Sequence, residues 1–426
     1  MSPAHDVFTK RGAGGSTRRE LLEAGAAGLA TLGFTAAIPA DAGAAVARRP
    51  ARAPEQSAAN RLGAARPEDV GMSRSRLDRV VDCLQSETGS GHVTSASISV
   101  ARHGRIVLHR GFGRLSEQPD APPTEPDTIY ILASISKPLA VCGLMLLVER
   151  GDVVLAERVQ RYLPEFEGEH KEKARVWHLL SHVSGLPDQV PQNRELRRTH
   201  APLSQFVAAA LKTPLLYEPG AGFGYQSMGT LLAGEIVERV TGRRLRDFLR
   251  EEIFEPLGMT RTTLGLGKLT VGQTAIYQTG PENEDLRSWG PNTRYWRDIG
   301  HPWGGMHSTT GDLAILLQAF LDGGAYGSTR LFSPTTVAAM TRDHNGGLDA
   351  PWGLGWALRD SRVWNHFGDL GSARTFGHVG ATGTVAWADP ERDLLCTLLT
   401  TRAAGDRDGF LLHRVSNLVQ AAVTEF

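Results

Sequence analysis

The two ends of this 426-residue chain carry the same local signal, and it narrows the fold sharply. Near the N-terminus, Ala96-Ser97-Ile98-Ser99-Val100 and Ile106-Val107-Leu108-His109 flank Arg102-His103-Gly104-Arg105. Two β-prone runs around a glycine-containing turn predict an antiparallel hairpin. Near the C-terminus, residues 382–388 and 394–401 flank Asp389-Pro390-Glu391-Arg392-Asp393, which predicts a second hairpin. Between them the periodicity is helical, with helices predicted over 174–181, 203–211, 228–240, 245–253 and 309–321. An opening helix is predicted over 67–87, with Leu77, Val80, Val81 and Leu84 on one face, and a closing amphipathic helix over 410–423. Strands at both ends with helices between predict an α/β (α+β) fold. Its antiparallel sheet is formed from both ends of the chain, with flanking helices and an inserted, mainly helical subdomain. The sheet part covers about 67–133 and 350–426, the helical part about 134–349. No internal repeat is present.

The remainder of the chain reads as a leader. Lys10, Arg11, Arg18 and Arg19 form a basic stretch, residues 24–39 a small, weakly apolar one, and Ala40-Asp41-Ala42 or Ala42-Gly43-Ala44 a cleavage site. Ser16-Thr17-Arg18-Arg19-Glu20-Leu21-Leu22 is similar to a twin-arginine signal. Residues 1–45 are therefore expected to be an export signal, 46–66 a linker and 67–426 the mature domain, placed in the periplasm, on the cell surface or outside the cell. No later run is long and apolar enough to span a membrane. Basic and acidic residues balance at 46 each, so no net field favours nucleic acid. The three cysteines, Cys83, Cys142 and Cys396, lack metal-ligand spacing and are expected to be reduced and buried.

Lysine is scarce. Six stand against forty arginines, and one of the six, Lys137, lies in an apolar run reaching Val148. Arginine stays protonated in proteins, whereas a desolvated lysine can act as a base. In Ile131-Leu132-Ala133-Ser134-Ile135-Ser136-Lys137-Pro138, a serine precedes that lysine by three residues, which puts both on one helical face. A helix start stabilises negative charge on the serine and favours the neutral lysine. Two further stretches carry matching chemistry. Phe223-Gly224-Tyr225-Gln226-Ser227-Met228-Gly229 sets a tyrosine and a serine ahead of a helix. Such a tyrosine, beside a lysine ammonium, can ionise more easily and pass protons to a leaving group, and Ser227 can donate to substrate. Phe376-Gly377-His378-Val379-Gly380-Ala381-Thr382-Gly383 opens the strand of the C-terminal hairpin, where a flush edge can offer an N–H to an oxyanion. Six of the eight tryptophans, at 289, 296, 303, 352, 356 and 364, either line a cleft or fill the core.

Together the three stretches resemble the motifs of the serine β-lactamase and penicillin-binding-protein superfamily, whose best-known version is S-x-x-K, S-D-N and K-T-G. Their order fits the class C β-lactamase branch, which also holds D,D-peptidases, D-aminopeptidases and family VIII carboxylesterases. Residues 178–187 (HLLSHVSGLP), Tyr217-Glu218-Pro219-Gly220, Gly304-Gly305-Met306-His307-Ser308-Thr309 and Trp352-Gly353-Leu354-Gly355-Trp356 resemble that branch too. The resemblance implies a β-lactamase/transpeptidase-like fold and a serine hydrolase working through an acyl-enzyme. It implies Ser134 as nucleophile, Lys137 as base, Tyr225 as proton shuttle, and the N–H groups of Ser134 and Ala381 as oxyanion hole. Ser227, His378 and Gly380 fall at substrate-binding positions.

The departures bear on substrate. Ser227 stands for the usual Asn, and a hydroxyl cannot do both jobs of an amide. His378 and Val379 stand for the Lys and Thr that help hold an antibiotic's carboxylate. An ester or small amide is therefore the expected substrate, with a D,D-peptidase, a D-aminopeptidase or a weak β-lactamase as alternatives. A catalytically silent peptide- or lactam-binding protein is the non-enzyme reading. His178 and His182 at i, i+4, with Asp188 near, raise a metal alternative, but Leu179 occupies the place where a hydrolytic zinc motif has Glu. No metal or cofactor is expected, and His178 reads as a core residue. The partner is a small ester, amide or peptide; the oligomeric state is open.

Overall fold

The computed structural model describes residues 62–280 and 284–425. The expected export signal over 1–45 and most of the expected linker lie outside the described residues. The seven-stranded main sheet contains β1 (Gly63–Ala64), β2 (Ser95–Arg102), β3 (Arg105–Gly113), β4 (Ala357–Leu358), β5 (Phe376–Gly380), β6 (Thr384–Asp389) and β7 (Leu394–Thr400). Their order is β1-β3-β2-β7-β6-β5-β4. The two ends of the chain join where β2 pairs antiparallel with β7, Ser99 opposite Thr397.

Three sequence expectations are corrected here. The linker ends early, because Gly63 and Ala64 pair with Arg105 and Ile106; that pair is parallel, so the sheet is mixed. The C-terminal hairpin is a three-strand meander. Residues 376–380 form their own strand, antiparallel to β6, and the turn 381–383 separates the two. The opening helix does not begin at 67: a short turn, Pro67–Val70, ends at Gly71 (φ 64°), and α1 (Arg74–Gly89) starts behind the Ser73 cap. A left-handed backbone there suits glycine and stops the helix.

The other helices that matter for the site are α2 (Ser136–Arg150), α3 (Met228–Thr241), α4 (Thr310–Leu321) and α5 (Phe410–Ala421). Side chains alternate across the strands. Leu394, Cys396 and Leu398 of β7 join a core with Leu77, Val80 and Leu84 of α1 and Leu412, Val415 and Val419 of α5. Leu395 and Leu399 face the other way, into a core with Leu313, Leu316 and Leu317 of α4. So α4, although inside the stretch expected to be the helical part, covers one face of the sheet. Helix α2 is apolar all round and buried from Ser136 to Leu147, as a central core helix must be. It packs on α3, whose Gly229 lets the Leu179 carbonyl approach where a Cβ would stand 2.5 Å away. Cys83, Cys142 and Cys396 are free and buried. No helix among the described residues is long and apolar enough to cross a membrane.

Candidate active site

Ser134 lies in a single tight turn, Ala133–Ile135, that runs directly into α2. The residue before it, Ala133, is held at φ 47°. For a residue with a Cβ this costs about 1–2 kcal/mol, so the neighbours must impose it. They do so through the main chain. The Leu132 N–H donates to the Met306 carbonyl (2.8 Å). The Leu132 carbonyl accepts from Thr384 Oγ1 (2.9 Å), and the Ile131 carbonyl from Thr382 Oγ1 (3.0 Å). Gly380 belongs to the same junction: a Cβ there would stand 2.0 Å from the Leu132 oxygen. The end of β5 is therefore seated flush against the segment that presents Ser134.

Lys137, in the first turn of α2, is buried, and its Nζ donates to Ser134 Oγ (3.0 Å) and to the Trp303 carbonyl (3.2 Å). Burial pushes its pKa from 10.5 down to about 8, with the Asp188 charge pulling the other way. A low-dielectric site disfavours the ammonium, so a useful fraction is neutral near pH 8. Tyr225 lies beside it, the Lys137 Nζ 4.7 Å from the ring centroid. The ammonium thus faces the π surface of the ring. Burial raises the Tyr225 pKa far above the ordinary range, with a nearby Ser134 hydroxyl opposing that rise. The sequence expectation that Lys137 eases ionisation of Tyr225 is therefore corrected: the phenol stays protonated, and its buried hydroxyl has no hydrogen-bond partner among the described residues. A neutral phenol in this position can donate a proton but does not start as the base.

Two histidines enclose the tyrosine. The His182 ring lies 4.6 Å from that of Tyr225 and the His378 ring 6.2 Å away. Burial, helped by the Lys137 charge, drives His378 down to about 3 and His182 well below its usual value. Both are neutral. His378 Nδ1 is 2.9 Å from the Val379 carbonyl, and its Nε2 is buried without a partner. Trp352, fully buried, lies 5.8 Å from Tyr225, and half-buried Trp364 lies 5.9 Å from it on the other side. These two tryptophans form an aromatic wall, while Trp356 is core.

Ser227 is placed differently from its expected task. Its hydroxyl donates to Asp188 Oδ1 (2.7 Å), as does its N–H (2.8 Å). His178 and His182 do not converge: His178 Nδ1 accepts from the Arg175 N–H, His182 Nδ1 from that of Gln226. At the end of β5, Ala381 is exposed in the turn, and its N–H has no acceptor among the described residues. The structure therefore brings Ser134, Lys137, Tyr225, His378 and Gly380 into one place with Ala381 at its edge, and leaves Ser227 tied to Asp188. Sequence reasoning missed the Trp303 carbonyl, the clamps from Thr382 and Thr384, the place of His182 against Tyr225, and the contact of Asp188 with Ser227. A cleft of about 690 Å³ opens elsewhere, between Leu203, Val207, Leu231, Arg246 and Tyr295, and none of the motif residues line it.

A serine bonded to a buried lysine, near a half-buried tyrosine and beside a sheet edge, defines a hydrolase of the penicillin-recognising class. The comparisons agree. The Beta-lactamase family matches residues 77–421, and the chain belongs to that family of serine hydrolases. A relative from Salmonella agona (strain SL483), named "Putative D-alanyl-D-alanine carboxypeptidase", is 30% identical over 377 residues, 80% of this chain and 86% of that protein. A penicillin-binding-protein homologue from Caulobacter crescentus superposes with a TM-score of 0.68 at 25% identity, over 83% of this chain and 99% of the other. A family VIII carboxylesterase superposes with a TM-score of 0.66 at 24% identity, over 81% and 98%, a likeness of fold.

Proposed function

We propose that the protein is an exported hydrolase that cleaves an ester or small amide through an acyl-enzyme on Ser134. The observation that carries the reading is the 3.0 Å bond from Lys137 to Ser134 Oγ, made by a lysine whose pKa is pushed down to about 8. Neutral Lys137 takes the Ser134 proton as Oγ attacks the carbonyl carbon. The oxyanion receives the N–H groups of Ser134 and Ala381. Tyr225 gives its proton to the departing alcohol or amine and regains one from the Lys137 ammonium. Water then attacks the acyl carbon and loses its proton to the same pair of groups; the bond to Ser134 Oγ breaks, Oγ takes that proton back, and the acid leaves. Export rests on the leader pattern of residues 1–45.

A D-alanyl-D-alanine carboxypeptidase is the second reading, favoured by the name of the Salmonella relative. Against it, neutral His378 and apolar Val379 offer no charge to a terminal carboxylate. The test is fluorophosphonate labelling with a rate panel of a short-chain ester, nitrocefin, a D-Ala-D-Ala peptide and a D-amino-acid amide. The ester should be fastest and Ser134→Ala should abolish both labelling and turnover. Undiminished turnover in that variant refutes the mechanism, and a D-Ala-D-Ala peptide as best substrate selects the second reading.

A further inference from the structure

We infer that Asp188 selects substrates that carry an ammonium group and turns away those that carry a carboxylate in the same place. This rests on the hydrolase reading of Ser134 and names its substrate class. Asp188 is solvent-exposed at the loop that follows Pro187, yet it is tied to the second motif by two bonds from Ser227. Both go to Oδ1. The other oxygen, Oδ2, has only a long contact from Gln189 Nε2 at 3.4 Å. No arginine or lysine forms an ion pair with Asp188 among the described residues. Its field nevertheless reaches the reacting groups, raising the pKa of both Lys137 and Tyr225.

The cation of the site, Lys137, is buried and already bonded to Ser134 Oγ and the Trp303 carbonyl. His378 is buried and neutral, and Val379 is apolar. The walls are aromatic: Phe223 lies 5.8 Å from Trp352, and Tyr225 lies 5.9 Å from Trp364. Ring faces attract cations, and Asp188, bonded to Ser227 two residues beyond Tyr225, adds a carboxylate oxygen with open valence for an ammonium group. An incoming carboxylate would meet Asp188 and the same rings, with the Lys137 ammonium already engaged by Ser134 Oγ and the Trp303 carbonyl. The chemical class that fits is an ester or amide bearing a primary amine near its scissile carbonyl.

The experiment compares three matched p-nitrophenyl esters: of butyrate, of β-alanine and, as the hemiester, of succinate. The β-alanyl ester should exceed the butyryl ester in kcat/KM by about tenfold, the size of one charge-assisted hydrogen bond, with the hemisuccinate slowest. Asp188→Asn, whose amide oxygen can still accept from Ser227, should bring the β-alanyl to butyryl ratio close to one. Asp188→Lys should invert the order in favour of the hemisuccinate. A readout independent of turnover is protection of Ser134 from fluorophosphonate by n-butylamine but not by butyrate, lost in Asp188→Asn. A ratio that stays the same in Asp188→Asn, or equal protection by amine and acid, overturns the role of Asp188. Absence of any Ser134 labelling instead overturns the hydrolase reading.

Discussion

Replacing Lys137 by methionine should stabilise the protein while abolishing its activity. The lysine pKa falls from 10.5 to about 8 because burial strips water from the ammonium. At about 1.36 kcal/mol per unit, this opposes folding by ~3 kcal/mol below pH 8, where the folded chain also keeps the charge. The lysine also makes two hydrogen bonds, to Ser134 Oγ and the Trp303 carbonyl, each worth ~1 kcal/mol net. Methionine has a similar length and adapts to an apolar slot. The balance is a gain of ~1 kcal/mol for Lys137→Met at pH 7. The sign follows from the direction of the shift. Between pH 8 and 10.5 the unfolded lysine binds more protons than the folded one, so wild-type stability rises with pH across that window. The advantage of Lys137→Met is full below pH 8 and should shrink by ~2 kcal/mol between pH 7 and 10. Urea unfolding of both proteins at the two pH values measures it. A variant less stable than wild type at pH 7, or a gap that does not narrow by pH 10, refutes the reasoning.

Three other outcomes follow from named contacts. Gly380→Ala would put a Cβ 2.0 Å from the Leu132 oxygen and 2.2 Å from Thr384 Oγ1; a loss of ~3 kcal/mol in urea unfolding and of ester turnover is expected. Thr382→Val removes the hydroxyl that holds the Ile131 carbonyl and should cost ~1–3 kcal/mol, with kcat falling more than KM changes, because the Ser134 turn loosens. Buried histidines make the fold acid-labile: His178 is pushed down to about 4, His307 and His378 to about 3, and His182 and His301 well below 6.5. With folded values depressed, the stability is present above the unfolded value of 6.5 and is lost as pH falls toward the folded ones. Urea midpoints should drop from just below pH 6.5, at up to ~1.4 kcal/mol per histidine per pH unit.

The placement of the candidate site residues was legible in the sequence wherever it depends on local spacing. Ser134 and Lys137 sit three residues apart, and a helix turn puts them together without help from the rest of the fold. Tyr225 precedes a helix and His378 enters a strand, so their order along the chain survives folding. What was not legible depends on the main chain or on distant partners. The Trp303 carbonyl that accepts from Lys137 belongs to every residue type alike. Ala133 carries no turn signal, because its left-handed backbone is imposed by bonds to Met306, Thr382 and Thr384 on neighbouring residues. Residues 376–380 read as the opening of the strand that follows; that they form a strand of their own comes from pairing with β6. The hydroxyl of Ser227 is taken by Asp188 in a loop with no periodicity, so its absence from the substrate side has no pattern in the sequence.

The enclosure of the site also fixes what its pH–rate profile must look like. A hydrolase with a catalytic histidine shows a limb near the ordinary imidazole pKa. Here the histidines next to Tyr225 are His182 and His378, and His301 lies on the Trp303 side of Lys137, its ring 4.7 Å from that of Trp303. All three are held neutral by burial and by the Lys137 charge. Tyr225 keeps its proton far into alkali. On the proposed mechanism Lys137 is therefore the group expected to set the rate between pH 6 and 9. For the neutral butyryl ester, kcat/KM should rise tenfold per pH unit and level off near pH 8, the value to which Lys137 is pushed. His378→Gln should move that limb upward by no more than a few tenths, since the neutral imidazole contributes no charge to remove. A limb near 6.5 that vanishes in His378→Gln or His182→Gln would instead make a histidine the base and return Lys137 to a structural role.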